Sequence, residues 1–261
     1  MLLSEKKNAT RVLTLDRPEK RNALHPGLIS ALSEKLTEIQ NDENTRVVVI
    51  TGAGSSFCSG LDLSHLVSLD VNGRVGYLRA FFSLFSQIYF LKQPTIAAVN
   101  GPAIAGGFDL AAACDLRLCS QDAKFAQTEV LLGITQMMYP IYKVIGLGRA
   151  NELALTGEPI SADEAYRIGL VNHVYRADEL LFKALELGEL LASRPKEALF
   201  ATKRLSRDLI ETSTESAIKL MFDTISERLG SEEHKQAIES YLARRGKTSC
   251  ARRLPDNEER G

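Results

Sequence analysis

Asn100-Gly101-Pro102-Ala103-Ile104-Ala105-Gly106-Gly107-Phe108-Asp109 directly follows an apolar run, and Ser59-Gly60-Leu61-Asp62 follows another earlier in the chain. Glycine at 60, 106 and 107 permits strained backbone and close approach of a ligand. Main-chain N–H groups aimed at a developing negative oxygen form an oxyanion hole, one of the strongest catalytic devices a fold offers. Chemistry at a carbonyl is therefore the first expectation. Ala105-Gly106-Gly107 leads into Phe108-Asp109-Leu110-Ala111-Ala112-Ala113-Cys114, a small-residue stretch suited to a buried helix whose N-terminal amides are free to meet an anion. Asp109 projects from the first turn beside those amides. A carboxylate there also gains from the helix dipole without any catalytic role.

The runs flanking these segments read as strands. Val47-Val48-Val49-Ile50-Thr51 has the continuous apolar character of a strand buried on both faces of a parallel sheet, and Pro94–Val99 and Leu116–Cys119 read as further strands. Val12-Leu13-Thr14-Leu15 is a further strand, ended by the turn chemistry of Asp16-Arg17-Pro18-Glu19-Lys20-Arg21-Asn22. Pro26 suits a first helical position, and Leu28, Ile29, Leu32, Leu36 and Ile39 recur at helical steps. Strands separated by helix-length connections imply βαβ crossovers. From about residue 150 the β signal fades, and 162–168, 179–193, 195–209, 216–229 and 232–245 read as helices. The expected organisation is an α/β core domain over 1–195, a helical region over 196–246 and a polar tail over 247–261 without periodicity, hence disordered.

The 261 residues are 44% hydrophobic and 25% charged, enough for a full core, with a net charge of -1 and no basic face to recruit nucleic acid or an anionic membrane. No run approaches the ~18 apolar residues of a membrane span, and the start lacks an apolar leader core. Cys58, Cys114, Cys119 and Cys250 have neither disulfide-scaffold density nor zinc-ligand spacing, which points to a reduced, cytoplasmic setting.

Thr51-Gly52-Ala53-Gly54 resembles half of a dinucleotide fingerprint. The third glycine is replaced by Phe57 and no strand carrying an acidic residue follows, so a tight structural turn competes with the cofactor reading. Ser59 and Cys58 lack a nucleophile elbow and recognisable His/Asp partners. His25, His65, His173 and His234 are scattered, which suits turns and helix surfaces better than a metal site. Gly146-Leu147-Gly148 reads as a loop between elements.

Four motifs stand in register: Asp16–Leu24, Phe57-Cys58-Ser59-Gly60-Leu61-Asp62-Leu63, Gln93–Gly101 with Ala105-Gly106-Gly107, and Ala123-Lys124-Phe125-Ala126-Gln127-Thr128-Glu129. In order and spacing they resemble the enoyl-CoA hydratase/isomerase, or crotonase, superfamily. The resemblance implies a crotonase-like (ClpP/crotonase) α/β fold, a repeated ββα spiral core with a helical C-terminal trimerisation region. It implies backbone amides of Leu61 and Gly106 as the oxyanion hole for a thioester carbonyl, and Asp109 and Glu129 as acid/base carboxylates. It places coenzyme A against Arg21, Ala23, Leu24, Cys58, Gly60, Leu61, Asp62 and Leu63, with Arg21 or Lys20 near phosphate. For those two basic residues a solvated turn is the competing reading. It further implies an acyl-CoA substrate, a homo-oligomer (trimer or hexamer), and no cofactor or metal, coenzyme A being part of the substrate.

Two departures bear on the reaction. Asp109 stands where hydratases of this superfamily carry glutamate, which retracts the carboxylate by roughly one C–C bond length. Dienoyl-CoA isomerases resemble this chain in that aspartate, but share a further aspartate at the position of Met137. The loop Gly133-Ile134-Thr135-Gln136-Met137-Met138-Tyr139-Pro140 is bulkier than the glycine-rich loop usual there. Gln136, Met137, Met138 and Tyr139 suit an adaptable acyl-pocket wall, with core packing as the alternative. Hydratase or double-bond isomerase is the leading expectation. A decarboxylase, a hydrolase or a non-catalytic acyl-CoA binder are the alternatives.

Overall fold

The structure is a computed structural model and describes residues 1–229 and 231–250. These form two units dividing between Ser193 and Arg194.

In the first unit β1 (Leu2–Lys7) and β2 (Thr10–Leu15) form an antiparallel hairpin, followed by α1 (Pro26–Asn41) and β3 (Val47–Gly52). Next come α2 (Leu63–Ser68), α3 (Val71–Phe90), β4 (Thr95–Val99), β5 (Ala103–Ile104) and α4 (Gly106–Ala113). Then follow β6 (Leu116–Ser120), β7 (Lys124–Ala126), a 3-10 turn at Glu129–Leu132, α5 (Ile141–Ile145) and α6 (Leu147–Thr156). The unit closes with β8 (Ile160–Ser161), α7 (Ala162–Arg167), β9 (His173–Tyr175) and α8 (Leu180–Ala192).

A six-stranded sheet runs β1-β2-β3-β4-β6-β9, parallel except for the β1 edge. Alternation divides its side chains between two layers. Leu13, Leu15, Val48, Ile50, Ala97 and Val99 join α1, α3 and α4 in the larger core. Val12, Val47, Val49, Ile96, Ala98 and Leu118 pack with Leu180 and Ala184 of α8. The apolar face expected for α1 is the face buried, Leu28, Ile29, Leu32, Leu36 and Ile39 all being core residues.

The smaller sheet positions the site. β5 pairs parallel with β7, and β7 antiparallel with β8. Single parallel bridges, Leu24 to Leu61 and Cys58 to Ala103, extend this layer toward the start of the chain. Each turn of chain thus gives one strand to the large sheet, one short segment to the small layer, then a helix or 3-10 turn. That is the repeated ββα spiral.

The second unit holds α9 (Lys196–Asp208), a 3-10 turn at Leu209–Glu211, α10 (Thr214–Arg228) and α11 (Glu232–Cys250). The Glu233 carboxylate accepts from the Glu197 and Ala198 N–H groups at 3.1 and 3.2 Å, closing the first turn of α9.

Several expectations change. β8 and β9 lie beyond residue 150, and β9 completes the large sheet. Of Gly146-Leu147-Gly148 only Gly146, at φ +79, links two helices; the other two belong to α6. Residues 247–250, expected in a disordered tail, continue α11. The rest of that tail, 251–261, lies outside the described residues. Among the described residues no helix is long and apolar enough to cross a membrane.

Candidate active site

Short parallel pairings bring the chemistry together. The bridge between Cys58 and Ala103 aligns their segments, so Leu61 and Gly106, each three residues on, end side by side at one wall. The β5–β7 pairing, Ile104 against Ala126, does the same for α4 and the Glu129 turn. Asp109 and Glu129 consequently line one cavity with Leu61 and Gly106.

Backbone geometry at this wall is tight. Gly60 has φ +86, and a Cβ there would stand 3.0 Å from Gly106 N. A Cβ on Gly107 would fall 2.1 Å from the Cys58 carbonyl oxygen, closer than any packing allows. Ala105, which caps α4, takes φ 52 and ψ -128, a region a non-glycine residue adopts only under restraint. Its N–H donates to Ala126 O at 2.8 Å and the Ile104 N–H to Cys58 O at 2.9 Å, which hold that strain in place. Among the described residues neither the Leu61 nor the Gly106 N–H meets a protein acceptor. Two free amides beside a cavity can receive an oxyanion.

The carboxyls are unusual in their burial. Asp109 is only 3% exposed, and burial first, then the neighbouring Glu129 charge, push its pKa well above the ordinary carboxylate value. Burial also raises Glu129, whose Oε2 is enclosed without a hydrogen-bond partner. Gln136 Nε2 donates to Asp109 Oδ1 at 3.2 Å. Two carboxyls that resist ionisation at one cavity are suited to exchange protons with a bound substrate.

The cavity encloses about 840 Å³. Its walls are mostly apolar, with Leu63, Leu66, Val75, Leu78, Phe81 and Phe82 on one side and Leu132, Ile134 and Met137 on the other. Of the four residues expected to wall an acyl pocket, Gln136 and Met137 line it. Met138 and Tyr139 instead pack against the core, and the Tyr139 hydroxyl pairs with that of Tyr89 at 2.7 Å. Ile134 to Met137 line the cavity and the next two residues turn to the core, a change of side within a loop too short and apolar for the sequence to show it.

The segment 21–24 and the segment 58–63 meet, as their expected shared role requires. Leu24 N–H donates to Gly60 O at 2.8 Å and Ser59 N–H to Arg21 O at 3.0 Å. Ala23, Leu24 and Cys58 are buried, so they support this wall from behind. Burial pushes the Cys58 thiol up to about 12, leaving it no nucleophile. Arg21 is exposed in a left-handed turn at φ 50. Leu63 opens α2 at the cavity wall.

Asp62 is held by protein contacts of its own. It accepts from the His65 N–H at 3.2 Å and pairs with Arg17 at 3.2 Å, while its N–H donates to the Tyr77 hydroxyl at 3.0 Å. Burial raises its carboxyl, but the His65 amide and Arg17 outweigh burial and hold it below the ordinary value.

The glycine turn after β3 is structural. Asn22 Nδ2 donates to Ala53 O and Ser56 O at 2.9 and 2.8 Å, and Asn100 Oδ1 accepts from Gly52 N at 3.1 Å. His25 and His65 become neighbours, 5.1 Å between rings, which linear spacing did not reveal. Among the described residues no three His, Cys, Asp or Glu side chains group to hold a metal ion.

A ββα spiral with free amides and one buried and one half-buried carboxyl at an apolar cavity defines a crotonase-type enzyme. A family model described as Enoyl-CoA hydratase/isomerase matches residues 5–248, and the chain belongs to that family. It is 33% identical to the short-chain-enoyl-CoA hydratase of Clostridium acetobutylicum over 94% of this chain and 95% of that protein. It is 31% identical to the crotonyl-CoA hydratase of Syntrophomonas wolfei, again over 94% and 95%. The crystal structure of the enoyl-CoA hydratase from Bacillus anthracis superposes with a TM-score of 0.91 at 29% identity, covering 93% of this chain and 96% of that one.

Proposed function

We propose that this enzyme adds water across the conjugated double bond of short-chain 2-enoyl-CoA thioesters. The observation that carries this reading is the convergence of two unpartnered amides, the buried Asp109 carboxyl and the half-buried Glu129 carboxyl on one apolar cavity. The names of the relatives support the substrate class.

The thioester oxygen accepts from Leu61 and Gly106, which stabilise the enolate by roughly 3 kcal/mol per donor. Water's oxygen bonds C3 as one of its protons passes to the charged member of the Asp109–Glu129 pair. A proton from the pair is delivered to C2, so the pair ends with the count it began with. Water and proton transfers complete the reaction, which on this chemistry calls for no metal or redox cofactor. The backbone of 21–24 and 58–63 cradles coenzyme A, with Arg21 or Lys20 at its phosphates. A homo-oligomer, trimer or hexamer, is part of the same reading, supported by an exposed apolar stripe on α10. The buried free thiols of Cys58, Cys114 and Cys119 support a reducing, cytoplasmic setting.

The test is a panel of 2-enoyl-, 3-enoyl- and dienoyl-CoA substrates followed at the conjugated-thioester absorbance. Hydration of crotonyl-CoA, reduced roughly 100-fold or more in Glu129→Gln while the thioester still binds, is the expected result. Asp109→Asn is expected to impair hydration more than double-bond isomerisation, because one base suffices to shuttle a proton along the acyl chain. Turnover of 3-enoyl- or dienoyl-CoA alone would replace hydration with isomerisation. Binding without turnover of any of the three would reject the reading.

A further inference from the structure

The carboxyl pair does not by itself determine which oxygen of Asp109 carries the proton. Two side-chain amides, Gln127 and Gln136, bond the Asp109 carboxyl, and Gln136 is the one that also lines the cavity. Its Nε2 donates both to Asp109 Oδ1 and to Met137 O, each at 3.2 Å. A carbonyl oxygen can only accept, so the Met137 carbonyl fixes the amide with its nitrogen, not its oxygen, against Asp109. The same carbonyl accepts from Gln127 Nε2 at 3.4 Å, tying the loop to a fully buried side chain next to β7. The loop is anchored on both sides of Gln136, by Ile134 N–H to Glu129 O at 3.0 Å and by the Tyr139–Tyr89 hydroxyl pair.

We propose that Gln136 is a positioning residue that donates to Asp109 Oδ1 and so directs the catalytic proton to Oδ2. This goes beyond the pocket-wall role expected for Gln136 and rests on the reading that Asp109 and Glu129 move protons. An unconstrained carboxylic acid places its proton on either oxygen; a donor already seated on one lowers that oxygen's basicity and makes the other the preferred site. Of the titratable groups on elements around α4, Glu129 and Arg74 share the cavity with Asp109. Cys58 and Tyr77 keep their protons up to about 12, so neither titrates in the working range.

The experiment is hydration of crotonyl-CoA against pH by wild type, Gln136→Met and Gln136→Glu. Methionine keeps the volume and removes the donor. Gln136→Met is expected to lose roughly 10-fold or more in kcat with KM changed less than about two-fold. Its alkaline limb should move to higher pH, because an N–H that stabilised the Asp109 anion is gone and the proton is held more tightly. Glutamate donates only while protonated, so Gln136→Glu should recover toward wild type as pH falls; this arm decides the matter if Gln136→Met fails to fold. Unchanged kcat and limbs in Gln136→Met, a raised KM alone, or a Gln136→Glu profile parallel to wild type would each overturn the proposal. Wild type inactive on every thioester would instead reject the functional reading beneath it.

Discussion

Asp109 sets catalysis against stability. An unfolded aspartate ionises near 3.8, whereas the folded carboxyl, buried beside Glu129, keeps its proton to higher pH. Between those values the native state binds more protons than the unfolded state, so Asp109 lowers stability progressively as pH rises through that window. Asp109→Asn removes the ionisation and keeps the oxygen that accepts from Gln136. The variant should therefore melt higher than wild type, by ~2 °C or more, at slightly alkaline pH. The advantage should vanish below the unfolded carboxylate value. Scanning calorimetry across pH checks this, and an Asn variant less stable than wild type at every pH would show that Asp109 carries a structural hydrogen bond instead. Asp109 and Glu129 were legible in the sequence as candidate residues, and so were the glycines beside Leu61. Their meeting was implied only by the family resemblance, because the residues themselves show no pattern for it: it depends on β5, a strand of two residues with no periodicity to read. Gln136 was legible only as wall, since a glutamine's partner lies in the fold and leaves no pattern in the chain.

At the level of elements, the cavity wall depends on a clasp that joins three segments. Asp62 caps α2, pairs with Arg17 after β2, and binds α3 through its N–H to Tyr77, whose hydroxyl in turn donates to Leu24 O. Arg17 also donates to Ala23 O at 2.8 Å, so the same guanidinium holds the 21–24 segment in place. The pair is largely buried, with side chains 14% and 11% exposed, and removing one partner strands the other charge. Asp62→Ala should cost about 3 kcal/mol of stability by denaturant unfolding, and Asp62→Asn less, because the amide oxygen still caps α2. Near-equal costs would assign the loss to the charge rather than the cap. Elements with a strong internal pattern, such as α1 and the buried β3 and β4, were read from spacing and composition alone. β1 escaped because it is an edge strand with only Leu2 partly covered, so five of its six residues are exposed and show no alternation. α3 gave no clear helical reading: Gly73 and Gly76 weaken its propensity, and exposed Val75, Leu78 and Phe82 line the cavity, blurring the stripe. β8 and β9 are held by neighbours rather than by their own sequence.

At the largest scale, the decisive feature is exposed apolar surface among the described residues of the helical unit. On α10, Ile218, Phe222 and Ile225 are 60%, 69% and 55% exposed and recur at helical steps, and the C-cap Leu229, 59% exposed, extends the stripe. α11 adds Ile238, Tyr241 and Leu242, each at least 45% exposed. Isolated exposed apolar residues are ordinary, but a helix-long stripe marks an interaction surface. A second copy of this chain is the occupant that the proposed homo-oligomer supplies. Charge placed on the stripe should oppose that association without touching the cavity, whose lining lies wholly before residue 138. Light scattering at micromolar concentration is expected to give a trimeric or hexameric mass for wild type and a monomeric mass for Phe222→Glu combined with Ile225→Glu. A monomeric wild type would remove the oligomer, and an unchanged mass in the double variant would move the interface elsewhere. Circular dichroism on the same samples separates dissociation from unfolding, since a dissociated chain retains its helical signal whereas an unfolded one loses it.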